Sequence, residues 1–366
     1  MHEAGVYVHV PFCASKCNYC DFLSFSNIEY LYEDYVVNLL NEIQTSAIEK
    51  VTTVYIGGGT PTVLPLKLLQ RVLTCVCDLP LTAKAEITVE VNPGTVNRDY
   101  LLFLKSAGVN RLSFGLQSTN DELLAGIGRL HSFDQFLDNY LSARDIGFDN
   151  INVDLMFGLP GQDIESFAES LSVVLNLEPQ HISFYSLTPC ENTPLWNDLL
   201  LGKISLTEDV VDRNMYHFAS KFLASNGYLH YEISNAAKPG FVCVHNIDCW
   251  QHKPYIGFGL GAHSFDGNRR WSNPSTFADY FACVKPDVEF LSNEQLMSEA
   301  MILGLRLLDG VDELVFESRY GIRPSEVYYE QIIKLVSDCL VMIDKNHIRL
   351  TPYGLDLANQ VYMQFL

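Results

Sequence analysis

The sequence predicts an α/β protein: a partial (β/α)6 barrel followed by a small C-terminal domain that is helical and resembles a winged helix. Short apolar segments with β character alternate with amphipathic helices from residue 5 to residue 185. Strands separated by helices pair in parallel. Because their crossovers are right-handed, such a sheet can curl into all or part of a barrel.

The predicted strands and helices follow from hydrophobic periodicity and from helix-capping residues. Asn97 and Asp163 are candidate N-caps that place the starts of two of the helices. The predicted strands cover residues 5–10, 53–56, 86–91, 111–114, 150–156 and 181–185. The predicted helices cover residues 29–48, 65–77, 98–107 and 164–175, with further helical turns between the fourth strand and residue 143.

The chain changes character after the sixth strand. Residues 186–285 are rich in aromatic residues, Gly and Pro and are predicted to be irregular, so the first domain is assigned to residues 1–285. Residues 290–366 are predicted to form an accessory domain of helices with one hairpin, residues 340–343 with 347–351. From residue 291 onward, eleven Asp or Glu oppose six Lys or Arg, a net charge of −5, which disfavours DNA binding by this domain.

Composition limits the classes of function. The chain has 366 residues, 48% of them hydrophobic, and a net charge of −20, so a large core is expected and nucleic-acid binding is not. No signal peptide and no membrane span are recognised, so we expect a cytoplasmic protein. Its ten cysteines are then expected as thiols or metal ligands and not as disulfides.

Three cysteines form the sharpest motif. Cys13, Cys17 and Cys20 are separated by three and then two residues, on a loop after the first strand. Cysteine thiolates are the ligands of iron–sulfur clusters, and three of them would leave the fourth iron of a cubane open to an exogenous ligand. The alternatives are a zinc site, for which His9 is the nearby fourth ligand, and unrelated buried cysteines.

Polar residues at strand ends form a second set of candidates. Gly57-Gly58-Gly59-Thr60-Pro61 follows the second strand, where glycines let backbone approach a ligand closely. Glu90 and Asp154 interrupt apolar strands, and a buried carboxylate is costly unless it is paired. Gln117 and Arg129 follow the fourth strand. Structural ion pairs or edge strands would explain each one singly, but a ligand site at the carboxyl ends of the strands explains them together.

These segments, taken together, resemble the radical-SAM family of oxygen-independent coproporphyrinogen III oxidases and its heme chaperone branch. The resemblance runs from Tyr7 to Leu366 and includes the C-terminal domain. It is carried by YVHVPFC (7–13), KCNYCDF (16–22), GGGTPT (57–62), EVNPGT (90–95), NRLSFGLQS (110–118), DLMFGLPGQ (154–162) and HYEISN (230–235).

The resemblance implies a radical-SAM barrel with two cofactors. Cys13, Cys17 and Cys20 would hold a 4Fe-4S cluster, and S-adenosyl-L-methionine (SAM) would chelate its open iron. The positions that match the SAM site are Tyr7, Tyr19, Gly58, Gly59, Thr60, Glu90, Gln117, Arg129 and Asp154. In such a site the carboxylates suit the SAM amine or ribose hydroxyls, and the arginine suits its carboxylate.

Two departures separate the branches of this family. The oxidases carry a fourth cysteine two residues after the third, where this chain has Phe22. The segment CVHNIDCW (243–250) resembles the heme-linked motif of the chaperone branch, with Cys249 in place of its tyrosine. We therefore expect a heme chaperone, with His245 as a heme ligand and Cys249 as a competing thiolate, over the alternative of a coproporphyrinogen III oxidase.

The expected partners follow from this choice. They are heme and an acceptor protein of unknown identity, which could be membrane-associated, and no nucleic acid. The sequence leaves open whether SAM is cleaved, so enzyme activity is not assigned. It also leaves the heme ligand open, given Cys249, and whether the chain forms a homodimer.

Overall fold

The structure, a computed structural model, describes residues 3–366, and the first half of the chain alternates strands with helices. The strands are β1 (Ala4–Val10), β2 (Val51–Gly58), β3 (Leu81–Val91), β4 (Arg111–Gln117), β5 (Ile151–Phe157) and β6 (His181–Ser186). The helices are α1 (Tyr32–Gln44), α2 (Leu66–Cys77), α3 (Arg98–Ser106), α4 (Asp121–Gly126), α5 (Phe133–Ile146) and α6 (Ile164–Asn176), with 3-10 turns at Glu29–Leu31 and Pro61–Val63. All neighbouring pairs from β1 to β6 are parallel, which confirms the predicted fold class.

The first helix is shorter than predicted. It ends at Gln44 and not at residue 48, because hydroxyl side chains bond to the last carbonyls of the helix. Thr45 Oγ1 donates to Asn41 O at 2.9 Å, and Ser46 Oγ donates to Ile43 O at 2.7 Å. Such local bonds compete with continuation of the helix.

The prediction that residues 186–285 are irregular is wrong. This part of the chain forms α7 (Pro194–Leu200), α8 (Asp209–Ser225), β7 (Leu229–Glu232), β8 (Asn235–Ala237), α9 (Val244–Trp250), β9 (Tyr255–Phe258), β10 (His263–Phe265), β11 (Arg269–Ser272) and α10 (Phe277–Phe281), and β12 (Val288–Phe290) follows. Its strands have three or four residues each, too few to show a period of two. They extend the sheet to twelve strands in the order β12-β11-β10-β9-β1-β2-β3-β4-β5-β6-β8-β7.

The C-terminal part has its own small sheet and core. It comprises α11 (Asn293–Gly304), β13 (Val311–Asp312), α12 (Glu313–Tyr320), α13 (Pro324–Val327), α14 (Tyr329–Ser337), β14 (Val341–Asp344), β15 (His347–Leu350), α15 (Pro352–Asp356), α16 (Ala358–Tyr362) and a 3-10 turn at Met363–Phe365. The predicted hairpin is β14–β15, with Lys345 in its turn at φ 58°. Met301, Ile348 and Val361 are fully buried in a cluster separate from the core of the large sheet.

The large sheet curves around a cavity. Tyr55, Glu90, Ser113, Asp154 and Ser183 come from the five neighbouring strands β2 to β6, and all five line the same space. The helices pack on the other face, where their apolar sides complete the main core. No helix within residues 3–366 has the length and apolar character needed to cross a membrane.

The packing of α1 on the sheet gives a test of this core. Leu39 is fully buried, whereas its helix neighbour Val37 is 40% exposed. We expect Leu39→Ala to lower the free energy of unfolding by about 2–5 kcal/mol, because it leaves a cavity under the helix. Urea unfolding followed by circular dichroism measures this, with Val37→Ala as the control. Equal losses in the two variants would contradict the packing described.

Candidate cofactor site

The cavity inside the sheet has a volume of about 590 Å³. It lies toward the carboxyl ends of the parallel strands, where α/β proteins bind ligands. Eleven of the thirteen predicted site residues line it, and Tyr7 and His245 do not. The eleven are Cys13, Cys17, Tyr19, Cys20, Gly58, Gly59, Thr60, Glu90, Gln117, Arg129 and Asp154.

The cysteine loop is held at both of its ends. Cys13 N donates to Phe25 O at 2.9 Å and Phe25 N donates to Pro11 O at 2.8 Å, so the loop closes on itself after β1. Inside the loop, Cys20 N donates to Cys17 O at 3.2 Å and forms a tight turn. These backbone bonds keep the loop closed at the edge of the cavity, which all three thiols line.

Two of these thiols accept hydrogen bonds from neighbouring side chains, and two have a pKa that burial shifts. Thr60 Oγ1 donates to Cys13 Sγ at 3.7 Å, and the Arg129 guanidinium donates to Cys17 Sγ at 3.6 Å. Burial raises the pKa of Cys13 and of Cys20. A metal that binds these two cysteines must therefore displace a proton, as thiolate ligation requires.

His9 is unsuitable as the fourth ligand of a zinc site. Its Nε2 donates to Leu23 O at 2.8 Å, and its Nδ1 accepts from the Tyr7 hydroxyl at 2.9 Å. Both ring nitrogens are therefore already hydrogen-bonded, and the bond to Leu23 joins the histidine to the cysteine loop. Tyr7, predicted at the SAM site, bonds to this histidine and does not line the cavity.

The glycine-rich turn brings β2 against the cysteine loop. Gly58 has φ 111°, and a Cβ there would lie 2.4 Å from His9 Nδ1. A Cβ on Gly59 would lie 2.6 Å from Phe12 O. The N–H groups of Gly58, Gly59 and Thr60 all donate within the protein, to Glu90, Val10 and Phe12. The glycines therefore permit close contact between two backbone segments, and not the free N–H cradle that the sequence suggested.

Two carboxylates face the interior of the cavity. Glu90 accepts from the Tyr55 hydroxyl at 2.9 Å and from Gly58 N at 3.2 Å. Burial raises the pKa of Glu90 to about 7, and the nearby Asp154 adds to this rise. Asp154 accepts from Asn152 Nδ2 at 2.7 Å, and burial raises its pKa as well. The pair provides acceptors for a polar or cationic ligand group.

Arg129 is the cation of the site. Its Nη2 donates to Asn92 Oδ1 at 2.6 Å and to the carbonyl of Gly115, while its buried Nε has no partner among residues 3–366. Gln117, at the end of β4, adopts φ 74°, and its side-chain oxygen accepts from the Tyr185 hydroxyl at 2.9 Å. A residue without a glycine's freedom is held in this conformation only when its surroundings fix it.

His245 lies beneath the cavity, on the first turn of α9. Its Nδ1 is 2.9 Å from Thr53 Oγ1, its ring stacks on Tyr55 at 5.3 Å, and it is only 6% exposed. Burial lowers the pKa of His245 to about 4, so the imidazole is neutral at pH 7. In this conformation the ring is not presented to a heme, and the role of His245 as a heme ligand stays a prediction.

Helix α9 is anchored at its start by Glu86. This buried carboxylate on β3 accepts from the backbone N–H groups of Val244 and His245, both at 3.1 Å. A carboxylate at a helix N-terminus satisfies the unpaired N–H groups and favours the helix dipole. This contact holds the start of α9 against β3, and Asn246 on the same helix lines the cavity.

Sequence reasoning missed several lining residues, and their signals differ. Asn92 holds Arg129 and stands in the quoted EVNPGT segment, so its position beside Glu90 was an available signal. Asn246 follows the histidine that was chosen from the same motif. Tyr185 lies in a strand of mixed polarity, where nothing marks its hydroxyl as part of a site.

The residues present fit a cluster and SAM in their chemistry. Three thiols share a cavity with an arginine, the carboxylates of Asp21, Glu90 and Asp154, and amide side chains. Burial raises the pKa of Cys13, Cys20 and Glu90, and perturbed pKa values are common among groups that line ligand sites. Within residues 3–366, no three His, Cys, Asp or Glu side chains converge tightly enough to hold a single metal ion. The assignment of each residue to a cofactor stays a prediction.

A parallel sheet that curves around a cavity, with a three-cysteine loop after its first strand, defines a radical-SAM protein. The profile of the Radical SAM superfamily matches residues 7–174, and that of the HemN C-terminal domain matches residues 291–357. In structure, the chain is similar to coproporphyrinogen III oxidase (HemN) from Escherichia coli, a radical SAM enzyme. The TM-score is 0.85 at 25% identity, covering 99% of this chain and 89% of that one.

Relatives in sequence identify the branch. The heme chaperone HemW of Lactococcus lactis is 36% identical over 99% of this chain and 97% of its own length. The heme chaperone HemW of Bacillus subtilis is 34% identical over 99% of both chains. The chain belongs to the HemW family.

The raised pKa of Glu90 predicts a pH dependence of stability in the ligand-free protein. The pKa rises from its usual value near 4.5 to about 7, so the folded state favours the protonated carboxyl. The stabilisation of the folded state by the protonated Glu90 carboxyl is complete below pH 4.5 and is lost as pH rises through 7. Between pH 5 and pH 8, we expect the free energy of unfolding of the wild type to fall by about 1–2 kcal/mol relative to that of Glu90→Gln. The effect is kept to this size because Glu90 faces a cavity that solvent can enter, which screens the carboxylate.

Urea unfolding of both proteins at the two pH values measures this fall. Glu191→Gln, which removes an exposed carboxylate, is the matched control and should show no such change. A difference between Glu90→Gln and the wild type that is the same at pH 5 and pH 8 would contradict the prediction.

Proposed function

We propose that this protein binds heme and delivers it to an acceptor protein, on a radical-SAM scaffold that carries one 4Fe-4S cluster and exchangeable SAM. The observation that carries the proposal is the similarity, over nearly the whole chain, to relatives named as heme chaperones. The identity of Phe22, which lines the cavity, also supports the proposal. This ring is 63% exposed and occupies the position where the resemblance gives oxidases a fourth cysteine.

The cluster would be held by Cys13, Cys17 and Cys20. The closed backbone of the loop fixes their spacing, and the Arg129 guanidinium offsets the negative charge that thiolate ligands bring. Three cysteines leave one iron for an outside ligand, and SAM, when bound, supplies that ligand and the capacity for radical chemistry.

The protein's part in SAM binding would be orientation and exclusion of water. Glu90 and Asp154 accept hydrogen bonds from amine or hydroxyl groups, and Arg129 donates to a carboxylate. Tyr19, packed against the apolar cluster that contains Ile127 and Met156, would form an apolar wall of the same cavity. Whether SAM is cleaved is not part of the proposal.

The chain carries a net charge of −20, so this protein would recognise its acceptor without a large positive patch on its own surface. We infer a cytoplasmic protein that meets its acceptor in solution or at a membrane surface. His245 is the heme ligand that the resemblance implies, and it could bind iron only if its ring left the pocket formed by Thr53 and Tyr55.

Cysteine variants test the cluster. We expect Cys13→Ser, Cys17→Ser and Cys20→Ser each to reduce the iron and sulfide bound after anaerobic reconstitution from about four atoms of each per chain to below one. Cys283→Ser, which alters an exposed cysteine outside the cavity, should keep the full content. Wild-type protein that binds one zinc ion and no sulfide would overturn the cluster.

A pair of assays on the reconstituted protein separates the chaperone from the oxidase. We expect hemin to bind with a stoichiometry of about one per chain, because a carrier must hold its cargo, and coproporphyrinogen III to give no vinyl product. Absorbance titration measures the first, and chromatography of the porphyrins measures the second. The Escherichia coli oxidase is the positive control, and product formation by this protein would favour the oxidase.

A further inference from the structure

We propose that heme binds in a second cavity, between α9 and the C-terminal part of the chain, with His347 as the iron ligand. This cavity has a volume of about 390 Å³, within the range of small-molecule sites. We call it the α9 cavity, defined by Ile247 and Trp250 on one side and Leu307, Phe316 and His347 on the other. The proposal rests on the proposed heme-binding function and names its site.

Helix α9 separates this cavity from the cavity of the cysteines. His245 on its first turn packs into the sheet, whereas Ile247 and Trp250 line the α9 cavity. The heme-linked motif therefore contributes to two sites through different side chains. A ligand can reach Trp250 without moving the Glu86 contact that anchors the helix.

The walls suit a flat aromatic ligand. Trp250, Phe316 and Tyr320 contribute rings, and Leu307 and Val311 contribute aliphatic surface. The Arg306 guanidinium lies 4.3 Å from the centroid of the Trp250 ring, and this contact holds the indole in place. Aromatic and aliphatic side chains of this kind can cover the face of a porphyrin and exclude water from it.

His347 is the one imidazole that lines this cavity among residues 3–366. It begins β15, its side chain is 40% exposed, and its Nε2 is 3.8 Å from Asp312 Oδ2. It makes no closer polar contact among the described residues, so its ring can turn one nitrogen to the carboxylate and the other to a metal. Ligating histidines are commonly oriented by a carboxylate in this way.

Cations at the rim can pair with the propionates of heme. Arg319 is an exposed residue that donates through Nη1 to the carbonyls of Gln251 and His252, at 3.1 and 3.3 Å, and lies 5.9 Å from the centroid of the Tyr320 ring. Lys253 also lines the cavity and is paired with Asp248 at 2.7 Å. Arginine can bind a carboxylate through two parallel hydrogen bonds, so Arg319 is the stronger partner.

Another cavity is less suitable for heme. It has about 520 Å³ and contains Arg213 and Arg306, but no histidine, cysteine or methionine among its lining residues. The cavity of the cysteines is lined by the residues assigned to the cluster and SAM. The α9 cavity combines aromatic walls, an exposed cation and an imidazole.

Hemin titration of the full-length reconstituted protein tests the site. Val315 is 54% exposed and lines the α9 cavity, so Val315→Trp fills the cavity without crowding the core. Leu314→Trp adds the same ring at the adjacent, similarly exposed position outside the cavity and is the matched control. We expect Val315→Trp and His347→Ala to raise the Kd for hemin about tenfold or more, and Leu314→Trp to leave it unchanged.

A spectroscopic readout distinguishes ligation from packing. In His347→Gly, added imidazole should restore the Soret band of the wild-type complex, which a merely structural role of His347 would not allow. Far-UV circular dichroism and iron content show whether each variant is folded and holds its cluster.

The outcomes separate this proposal from the proposed function. Hemin binding that survives Val315→Trp and His347→Ala but is lost in His245→Ala overturns the α9 cavity and leaves the heme-binding function standing. Wild-type protein that binds no hemin overturns the function itself.

Discussion

The structure depends on a backbone contact between the cysteine loop and the glycine-rich turn after β2. Thr60 N donates to Phe12 O at 2.7 Å, and the adjoining glycines have no room for a Cβ. This contact fixes the loop relative to the sheet, so the three thiols and the carboxylates of the inner strands share one space. Packing alone would not fix that distance, because the loop has few apolar residues between Cys13 and Cys20.

The interior of the sheet is polar in a way that a simple core would not permit. Glu90, Asp154 and Arg129 are costly to bury, and each is offset by hydrogen bonds from named neighbours. Burial raises the pKa of Glu90 and of Asp154, which reflects the cost of holding an ionised carboxylate away from water. A site of this kind exchanges stability for affinity, as binding sites commonly do.

Sequence reasoning reached the parts of the fold that depend on local pattern. The six parallel strands were visible as apolar runs, and the Cys13–Cys20 spacing was visible as the pattern of a cluster or metal site. The C-terminal hairpin was visible because Lys345 and Asn346 separate two short apolar runs. Eleven of the predicted site residues lie together because successive parallel strands end at one edge.

What sequence reasoning missed depends on tertiary contacts. Strands of three or four residues, such as β8 and β10, acquire their conformation from neighbours in the sheet. The orientation of His245 is set by Glu86, which lies 159 positions away in sequence and carried no signal of its own. The motif could name the segment, but it could not tell which of its side chains faces the sheet and which faces the C-terminal part.

Tyr55 contacts both the cavity and the helix that lies beneath it. Its hydroxyl donates to Glu90, and its ring supports the imidazole of His245. A protein engineer who wished to rebuild the cavity for a different cofactor would have to retain a phenol at this position or redesign the helix below it. The cavity and helix α9 are therefore constrained to change together, through a single side chain that neither motif contains.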